Sequence, residues 1–318
     1  MADLEQLLLH TSRTFALSIP LLPEPTRSEV TLAYLLFRIA DTFEDAPGWR
    51  REEKTAALAR FGALLEAPAP RETAEAARAW CAVPCAQPSY RELLAEVPCV
   101  LDSFFALDPE AVALIRRHTR RTTAGMARYV ERTGEDGRLE LADLADLRAY
   151  CYVVAGIVGE LLTDLFLLGR PVLQTVAPAL RERAPVFGEG LQLVNILKDS
   201  AADALEGRRY LPATIDRGEV MALARRDLAE AERYVLDLQR AGAERGVVAF
   251  NALPVHLAHG TLDRVAEAGP GAKLSRREVF AIVQRLNGAL DHGEPAFRPV
   301  VAAGQGGRDA AALPDRLQ

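Results

Sequence analysis

Two pairs of aspartates with the same internal spacing carry the strongest chemical signal in this sequence of 318 residues. Asp41 and Asp45 form the first pair, and Asp199 and Asp203 form the second. Each pair lies in an apolar run with helical periodicity, so its carboxylates leave the same face of a helix. Carboxylates this close repel each other unless they are solvated or bind a cation, and the apolar flanks argue against full solvation. Because Mg²⁺ commonly binds through carboxylates and substrate phosphates, the pairs predict a magnesium site that holds a diphosphate.

Further polar residues share the helix face of the first pair. Tyr34 and Arg38 precede Asp41 at helical spacing, and Glu44 adjoins Asp45, so these side chains form one stripe. A solvated stripe with an Arg–Asp ion pair is the alternative. The surrounding residues are mostly apolar, however, and indicate that the stripe faces protein. We therefore regard Glu44, together with the two aspartates, as a candidate metal ligand.

The second pair is preceded on its helix face by Gln192 and Asn195. Their amide groups can orient ligands or water molecules around an ion. Lys198, Arg208 and Arg209 lie close enough in sequence to reach the same diphosphate, and guanidinium groups bind phosphate in a bidentate manner. Considered without the acids, the two arginines would indicate only a surface loop.

The elements that must position these residues are helices. Apolar residues recur at helical spacing along nearly the whole chain, so the sequence predicts an all-α protein. Residues 1–300 are predicted to form one domain, and residues 301–318 a disordered tail. The apolar stretch 150–169 is long enough to span a membrane. Glu160 and Asp164 near its middle predict a buried helix instead.

Composition restricts the partners that this chain can have. It is 49% hydrophobic and 26% charged with a formal net charge of −6, and this overall charge gives no indication of nucleic-acid binding. The four cysteines lack the spacing of a zinc site, and the first residues lack the features of a signal peptide. We expect a cytoplasmic protein. Peripheral contact with the inner face of the membrane and the oligomeric state stay open.

Taken in order, the motifs resemble those of the squalene/phytoene synthase family, the head-to-head prenyl-diphosphate synthases. The resemblance runs from about residue 12 to residue 290 and is strongest to soluble bacterial squalene synthases. It rests chiefly on five segments, which are Ser12-Arg13-Thr14-Phe15, Tyr34 to Asp45, Tyr152 to Gly159, Gln192 to Asp203, and Gly207-Arg208-Arg209-Tyr210-Leu211-Pro212.

The resemblance implies an isoprenoid synthase fold, a helical bundle around a deep apolar central cavity with the acid motifs at its mouth. Two molecules of farnesyl diphosphate would condense to presqualene diphosphate, and an NADPH-dependent step would convert this product to squalene. Geranylgeranyl diphosphate is the alternative substrate. Phytoene or dehydrosqualene, formed without reduction, is the alternative product. The implied metal is Mg²⁺, with Mn²⁺ as an alternative.

The resemblance also implies roles for single residues. The catalytic candidates are Tyr34, Arg38, Tyr152 and Lys198. The candidates for substrate binding are Ser12, Arg13, Phe15, Gln192, Asn195, Arg208 and Arg209. The candidate metal ligands are Asp41, Glu44, Asp45, Asp199 and Asp203.

Two features bear on the second half of this reaction. Squalene synthases usually carry a tyrosine directly before Val-Ala-Gly, but Val153 stands there and Tyr152 comes one residue earlier. Either Tyr152 acts from a different angle, or Tyr34 or the diphosphate itself takes the proton. A basic segment resembles the region that approaches NADPH in squalene synthases and makes Lys273 and Arg276 candidate cofactor ligands. A solvated basic turn is an equal alternative for both.

Overall fold

The structure is a computed structural model that describes residues 3–12, 14–66, 69–85, 87–134 and 138–297. Over these residues the chain is predominantly helical, with only two strands of two residues each, which confirms the all-α prediction. Arg13 and the predicted tail 301–318 lie outside the described residues. The α-helices are α1 (Leu4–Thr11), α2 (Phe15–Ser18), α3 (Thr26–Glu44), α4 (Arg51–Leu64), α5 (Pro70–Trp80), α6 (Pro88–Ala95), α7 (Val97–Phe105), α8 (Pro109–Glu131), α9 (Leu144–Cys151), α10 (Ile157–Leu167), α11 (Ala177–Leu205), α12 (Arg217–Arg240), α13 (Arg245–Ala268) and α14 (Arg276–Asp291).

Shorter elements connect these helices. Ile19–Leu21 and Pro171–Leu173 are 3₁₀ turns, and Tyr152–Gly156 is a π-helical segment that joins α9 to α10. Strands β1 (Leu139–Glu140) and β2 (Arg208–Arg209) pair in parallel. This short pairing fixes the chain that leaves α11, and therefore decides where the two consecutive arginines point.

The long helix α11 lies at the centre of the packing, against α12, α10 and the π-helical segment. Glycines permit the closest approaches. A Cβ atom on Gly188 would lie 2.1 Å from the Ala155 carbonyl oxygen, and one on Gly159 would lie 2.0 Å from the Ala184 carbonyl oxygen. Because those distances leave no room for a side chain, the π-helical segment and α10 pack backbone to backbone against α11.

Residues Leu144–Leu167 form one apolar helical run through α9, the π-helical segment and α10. This run is long and apolar enough to cross a membrane by length and composition alone, but half of its most apolar window is buried inside the protein. Core helices pass the same test. The contacts of this run with α8 and α11 agree with the prediction of a buried helix.

Candidate active site

The first acid motif occupies the last turns of α3. Leu35, Leu36 and Ile39 are fully buried, so they hold this helix in the core and leave the opposite stripe for the polar side chains. The helix ends at Glu44, where the Asp45 N–H donates to the Asp41 carbonyl and Pro47 cannot continue the hydrogen-bond ladder. The acids of this motif therefore lie at a helix end, beside a pocket.

Arg38 connects this motif to the N-terminal segment. Its guanidinium lies 3.3 Å from the Asp41 carboxylate, and its Nε and Nη2 each donate to the Tyr34 hydroxyl at 3.3 Å. That hydroxyl donates in turn to the Thr11 carbonyl at 2.7 Å. Arg38 and Asp41 also line the pocket together with Asp45, Tyr90 and Arg208. The structure thus joins Tyr34, Arg38 and Asp41 of the predicted stripe in one bonded network.

The second acid motif lies on the last turns of α11, and Arg208 connects it to the first. The Arg208 guanidinium is 3.0 Å from an Asp45 carboxylate oxygen and 3.7 Å from an Asp203 carboxylate oxygen. Glu206 also accepts a hydrogen bond from it. Gly207 permits the turn before β2 because it adopts a φ of +82°. Two acid motifs more than 150 residues apart in sequence therefore meet at the Arg208 guanidinium.

Arg209 lies on the other side of β2, because successive strand residues face opposite directions. Its guanidinium is 3.9 Å from Glu140, an exposed residue of β1. The structure therefore separates the two arginines that the sequence analysis treated as equivalent. Only Arg208 faces the acid motifs.

The electrostatics of the acids fit a cation site. Burial raises the pKa of Asp41 to about 6, although the Arg38 charge opposes the rise and the Asp45 charge adds to it. Burial likewise raises the pKa of Asp203 to about 6, against the Arg208 charge and with help from the Asp199 and Asp45 charges. These carboxylates are crowded and under-compensated, which is the condition that a bound cation relieves.

Glu44 and Lys54 extend the cluster away from the pocket. Burial and the charges of Asp45 and Asp41 raise the pKa of Glu44 well above its ordinary range, and its carboxylate lies 3.4 Å from the Tyr150 hydroxyl. The Lys54 ammonium donates to the Glu44 carbonyl at 2.7 Å. Lys54 was missed by sequence reasoning, because it lies in the next helix and no spacing rule links it to the acids.

The other candidates of the second motif lie along α11. Gln192 is half-buried and Asn195 is exposed. The Lys198 ammonium lies 3.0 Å from the Asp199 carboxylate. The Lys198 carbonyl accepts a hydrogen bond from the Gly271 N–H at 2.7 Å. That bond places the turn that carries the exposed Lys273, and the start of α14 with Arg276, beside this part of α11.

The N-terminal candidates have structural contacts. The Ser12 hydroxyl accepts hydrogen bonds from the Phe15 and Ala16 N–H groups at 3.0 and 3.3 Å and so satisfies the first two N–H groups of α2. The Phe15 ring packs against Tyr34 with ring centres 5.7 Å apart. Ser12 and Phe15 are therefore close to the Arg38 network through Tyr34.

Tyr152 belongs to a different polar cluster. Its hydroxyl lies 3.0 Å from Glu160 and accepts a hydrogen bond from Arg121. The Val153 side chain packs against Gly125 of α8, where an added Cβ would lie 2.5 Å from it. The structure thus joins Tyr152 to α8 and α10, and does not bring it to the acid motifs.

A metal must be held by several of these acids if it binds here. Among the described residues, no three His, Cys, Asp or Glu side chains converge closely enough to form a ready-made metal centre. The donors are nonetheless the oxygen ligands that Mg²⁺ prefers, and the Arg208 guanidinium already bridges one acid of each motif. The carboxylate oxygens of Asp41, Glu44, Asp45, Asp199 and Asp203 are of the chemical type that fits a divalent cation.

Solved structures with the same architecture exist. The chain superposes on TcSQS in complex with a ligand with a TM-score of 0.70 and 25% identity, covering 91% of this chain and 88% of that one. It also superposes on a dehydrosqualene synthase in complex with a ligand with a TM-score of 0.58. The 19% identity to that second protein shows the fold alone. The fold is that of an isoprenoid synthase.

Sequence relatives identify the family. The Squalene/phytoene synthase family profile matches residues 8–219, and the chain belongs to this family. It is 33% identical over 216 residues to a squalene synthase of Eremothecium gossypii, covering 66% of this chain and 45% of that protein. It is 31% identical over 201 residues to the Botryococcus squalene synthase of Botryococcus braunii, covering 63% and 39%. This chain thus spans less than half the length of these curated relatives.

Proposed function

We propose that this chain is a Mg²⁺-dependent prenyltransferase that condenses two farnesyl diphosphates head to head to presqualene diphosphate and converts this product to squalene with NADPH. The observation that carries the proposal is the meeting of both acid motifs at Arg208. Family membership and the squalene synthases among the relatives support the choice of reaction.

The chain's own residues would act on the diphosphate. Asp41, Glu44, Asp45, Asp199 and Asp203 would hold Mg²⁺, which when bound supplies Lewis-acid stabilisation of the leaving diphosphate. Arg38 and Arg208 would donate charge-assisted hydrogen bonds to its oxygens, and Lys198 would add a point charge. The prenyl chains need an apolar cavity that excludes water. That cavity remains a prediction.

Lys273 and Arg276 would hold the phosphate groups of NADPH, which when bound supplies the hydride. The support is their position, because the Gly271–Lys198 hydrogen bond fixes this basic segment beside the second acid motif. We further propose that the protein works in the cytoplasm, in contact with a membrane surface that receives the apolar product.

The second half of the proposed reaction, which determines the final product, involves the region of Tyr152 and Val153. Val153 occupies the place of the usual tyrosine, and the Tyr152 hydroxyl already interacts with Arg121 and Glu160. The Tyr34 hydroxyl is engaged as well, by Arg38 and the Thr11 carbonyl, so this arrangement favours the diphosphate over either tyrosine as the proton acceptor. It also keeps dehydrosqualene or phytoene, each formed without reduction, as the alternative product.

Product analysis tests the proposal. Purified protein is incubated with farnesyl diphosphate and Mg²⁺ or Mn²⁺, with and without NADPH, and in parallel with geranylgeranyl diphosphate. We expect presqualene diphosphate without NADPH and squalene with it. Dehydrosqualene in both reactions, or phytoene from the longer substrate, would establish the alternative. Unreacted substrate under every condition would refute the prenyltransferase.

A further inference from the structure

Tyr90 belongs to none of the motifs, yet its ring contacts the centre of the candidate site. The guanidinium carbon of Arg38 lies 5.5 Å from the centre of the Tyr90 ring and 5.6 Å from the centre of the Tyr34 ring. Both distances are within the range of about 6 Å in which an aromatic face attracts a cation. Arg38 thus lies within cation–π distance of two tyrosine rings, one from α6 and one from its own helix.

The position of Tyr90 is fixed by its helix. Leu93 and Leu94 are fully buried and anchor α6 in the core. On the exposed side, the His10 ring nitrogen of α1 lies 3.1 Å from the Glu92 carboxylate. Tyr90 itself is half-buried and lines the pocket beside Asp41 and Arg208. Its ring is therefore part of the pocket wall, on a helix that the core anchors.

The contacts of Arg38 leave part of its hydrogen-bonding capacity for a ligand. A guanidinium has five N–H groups. Nε and one N–H group of Nη2 donate to the Tyr34 hydroxyl, and Nη1 forms an ion pair with the Asp41 carboxylate at 3.3 Å, so at most three N–H groups are engaged. The Tyr90 ring uses no N–H group, because it attracts the cation through its face. This contact can hold the guanidinium in place and still leave two N–H groups for an anionic oxygen.

We propose that Tyr90 is a positioning residue for diphosphate recognition, which holds the Arg38 guanidinium in the orientation that binds the diphosphate. The inference rests on the proposed function, since it assumes that Arg38 meets a diphosphate. An arginine side chain loses much rotational freedom when it binds, and a contact that orders it beforehand lowers this cost. Without the ring, Arg38 keeps its charge and its contacts with Tyr34 and Asp41, but it loses the one contact that orders it without engaging an N–H group.

The experiment measures binding of inorganic pyrophosphate in the presence of Mg²⁺ by calorimetry, together with KM and kcat for farnesyl diphosphate. We expect Tyr90→Leu to weaken pyrophosphate binding and to raise KM about threefold to tenfold, because an exposed to half-buried cation–π contact has that effect. Tyr90→Phe keeps the aromatic face and should remain within about twofold of the wild type. Phe280→Leu, an exposed aromatic on α14, is the matched control.

A double-mutant cycle separates positioning from a general loss of structure. In the Arg38→Gln background, Tyr90→Leu should cause no further loss of pyrophosphate affinity, because no guanidinium remains to be positioned. An additional loss in that background would contradict the proposal, as would equal affinities of Tyr90→Leu and wild type. If Tyr90→Leu unfolds, Tyr90→Phe decides, since a tenfold loss in that folded variant is also contrary to the proposal.

Failure of the inference and failure of the proposed function give different results. If the wild type binds pyrophosphate with Mg²⁺ and Tyr90→Leu binds it equally well, only the role of Tyr90 is refuted. If the wild type does not bind pyrophosphate with Mg²⁺, the diphosphate site is refuted and the inference with it.

Discussion

Glu160 and Asp164 of α10 have the same spacing as the two aspartate pairs, but their surroundings differ. Arg117 and Arg181 lie 2.6 and 3.4 Å from Asp164, and a nitrogen of His118 lies 3.1 Å from it. Arg121 lies 2.6 Å from Glu160. Four basic side chains thus serve two acids, and they come from α8 and α11 rather than from neighbouring sequence.

The acid motifs have fewer counter-charges. Arg38 pairs with Asp41, Lys198 pairs with Asp199, and the single Arg208 guanidinium is shared between Asp45 and Asp203, so three basic side chains serve four aspartates. The pKa values record the contrast. Burial would raise the pKa of Asp164, but hydrogen bonds and charges from His118, Arg117 and Arg181 outweigh it and lower that pKa. Spacing therefore brings two carboxylates together, whereas the supply of nearby cations decides whether they still attract a metal.

The largest expected difference between the two regions is in turnover. Asp41→Asn and Asp203→Asn should each lower kcat/KM for farnesyl diphosphate about 10²- to 10³-fold, since metal stabilisation of a leaving group contributes several kcal/mol. For Asp164→Asn, kcat/KM should stay within about threefold of the wild type, because the basic partners of Asp164 belong to neither acid motif. Steady-state assays at saturating Mg²⁺ measure this. A loss of similar size in all three variants would abolish the contrast.

The same variants should rank in the opposite order when stability is measured, with Asp164→Asn losing the most. Asp164→Asn removes the nearer of the two carboxylates beside the buried His118 and should lower the free energy of unfolding by about 1–3 kcal/mol at pH 7. Asp203→Asn removes a carboxylate that its neighbours repel, and should leave the metal-free protein equally or more stable. Urea denaturation without Mg²⁺ compares the two. A more stable Asp164→Asn variant would contradict the structural role of Asp164.

The pH dependence of metal binding sharpens the comparison further. The pKa values of Asp41 and Asp203 are raised to about 6 in the folded protein, so protonation favours folding and this contribution is lost as the pH rises through about 6. Mg²⁺ needs the ionised acids, so its affinity should rise between pH 5 and pH 7, about tenfold for each of them. Calorimetric titration with Mg²⁺ measures the rise, and Asp203→Asn should reduce it. A pH-independent affinity in the wild type would show that these acids do not bind the metal.

The smallest expected effect compares the two consecutive arginines. Arg208→Gln removes the cation between the motifs and should lower the stability of the metal-free protein by about 1 kcal/mol, which Mg²⁺ restores by taking its place. Arg209→Gln removes the same charge but only a surface pair with Glu140, so we expect a change of at most about 0.5 kcal/mol. Thermal unfolding with and without Mg²⁺ distinguishes them. Equal behaviour would contradict the bridging role of Arg208.

Much of the local structure could be predicted from the sequence. The periodicity of apolar residues predicts helices over both acid motifs, and spacing alone places Tyr34, Arg38 and Asp41 on one stripe because helical geometry is the same in every context. The structure confirms that stripe. The resemblance to squalene/phytoene synthases could also be recognised from the motifs, and the family profile confirms it.

Contacts between distant segments could not be predicted in this way. The sequence treats Arg208 and Arg209 as equivalent and leaves Glu160 and Asp164 without partners. Only tertiary structure pairs β2 with β1, which turns one arginine towards the acids, and only helix packing brings the arginines of α8 to α10. Tyr90 reaches Arg38 for the same reason. Local spacing is encoded by the repeat of the helix, but the charge that surrounds an acid depends on which helices pack together, and that is a property of the whole chain.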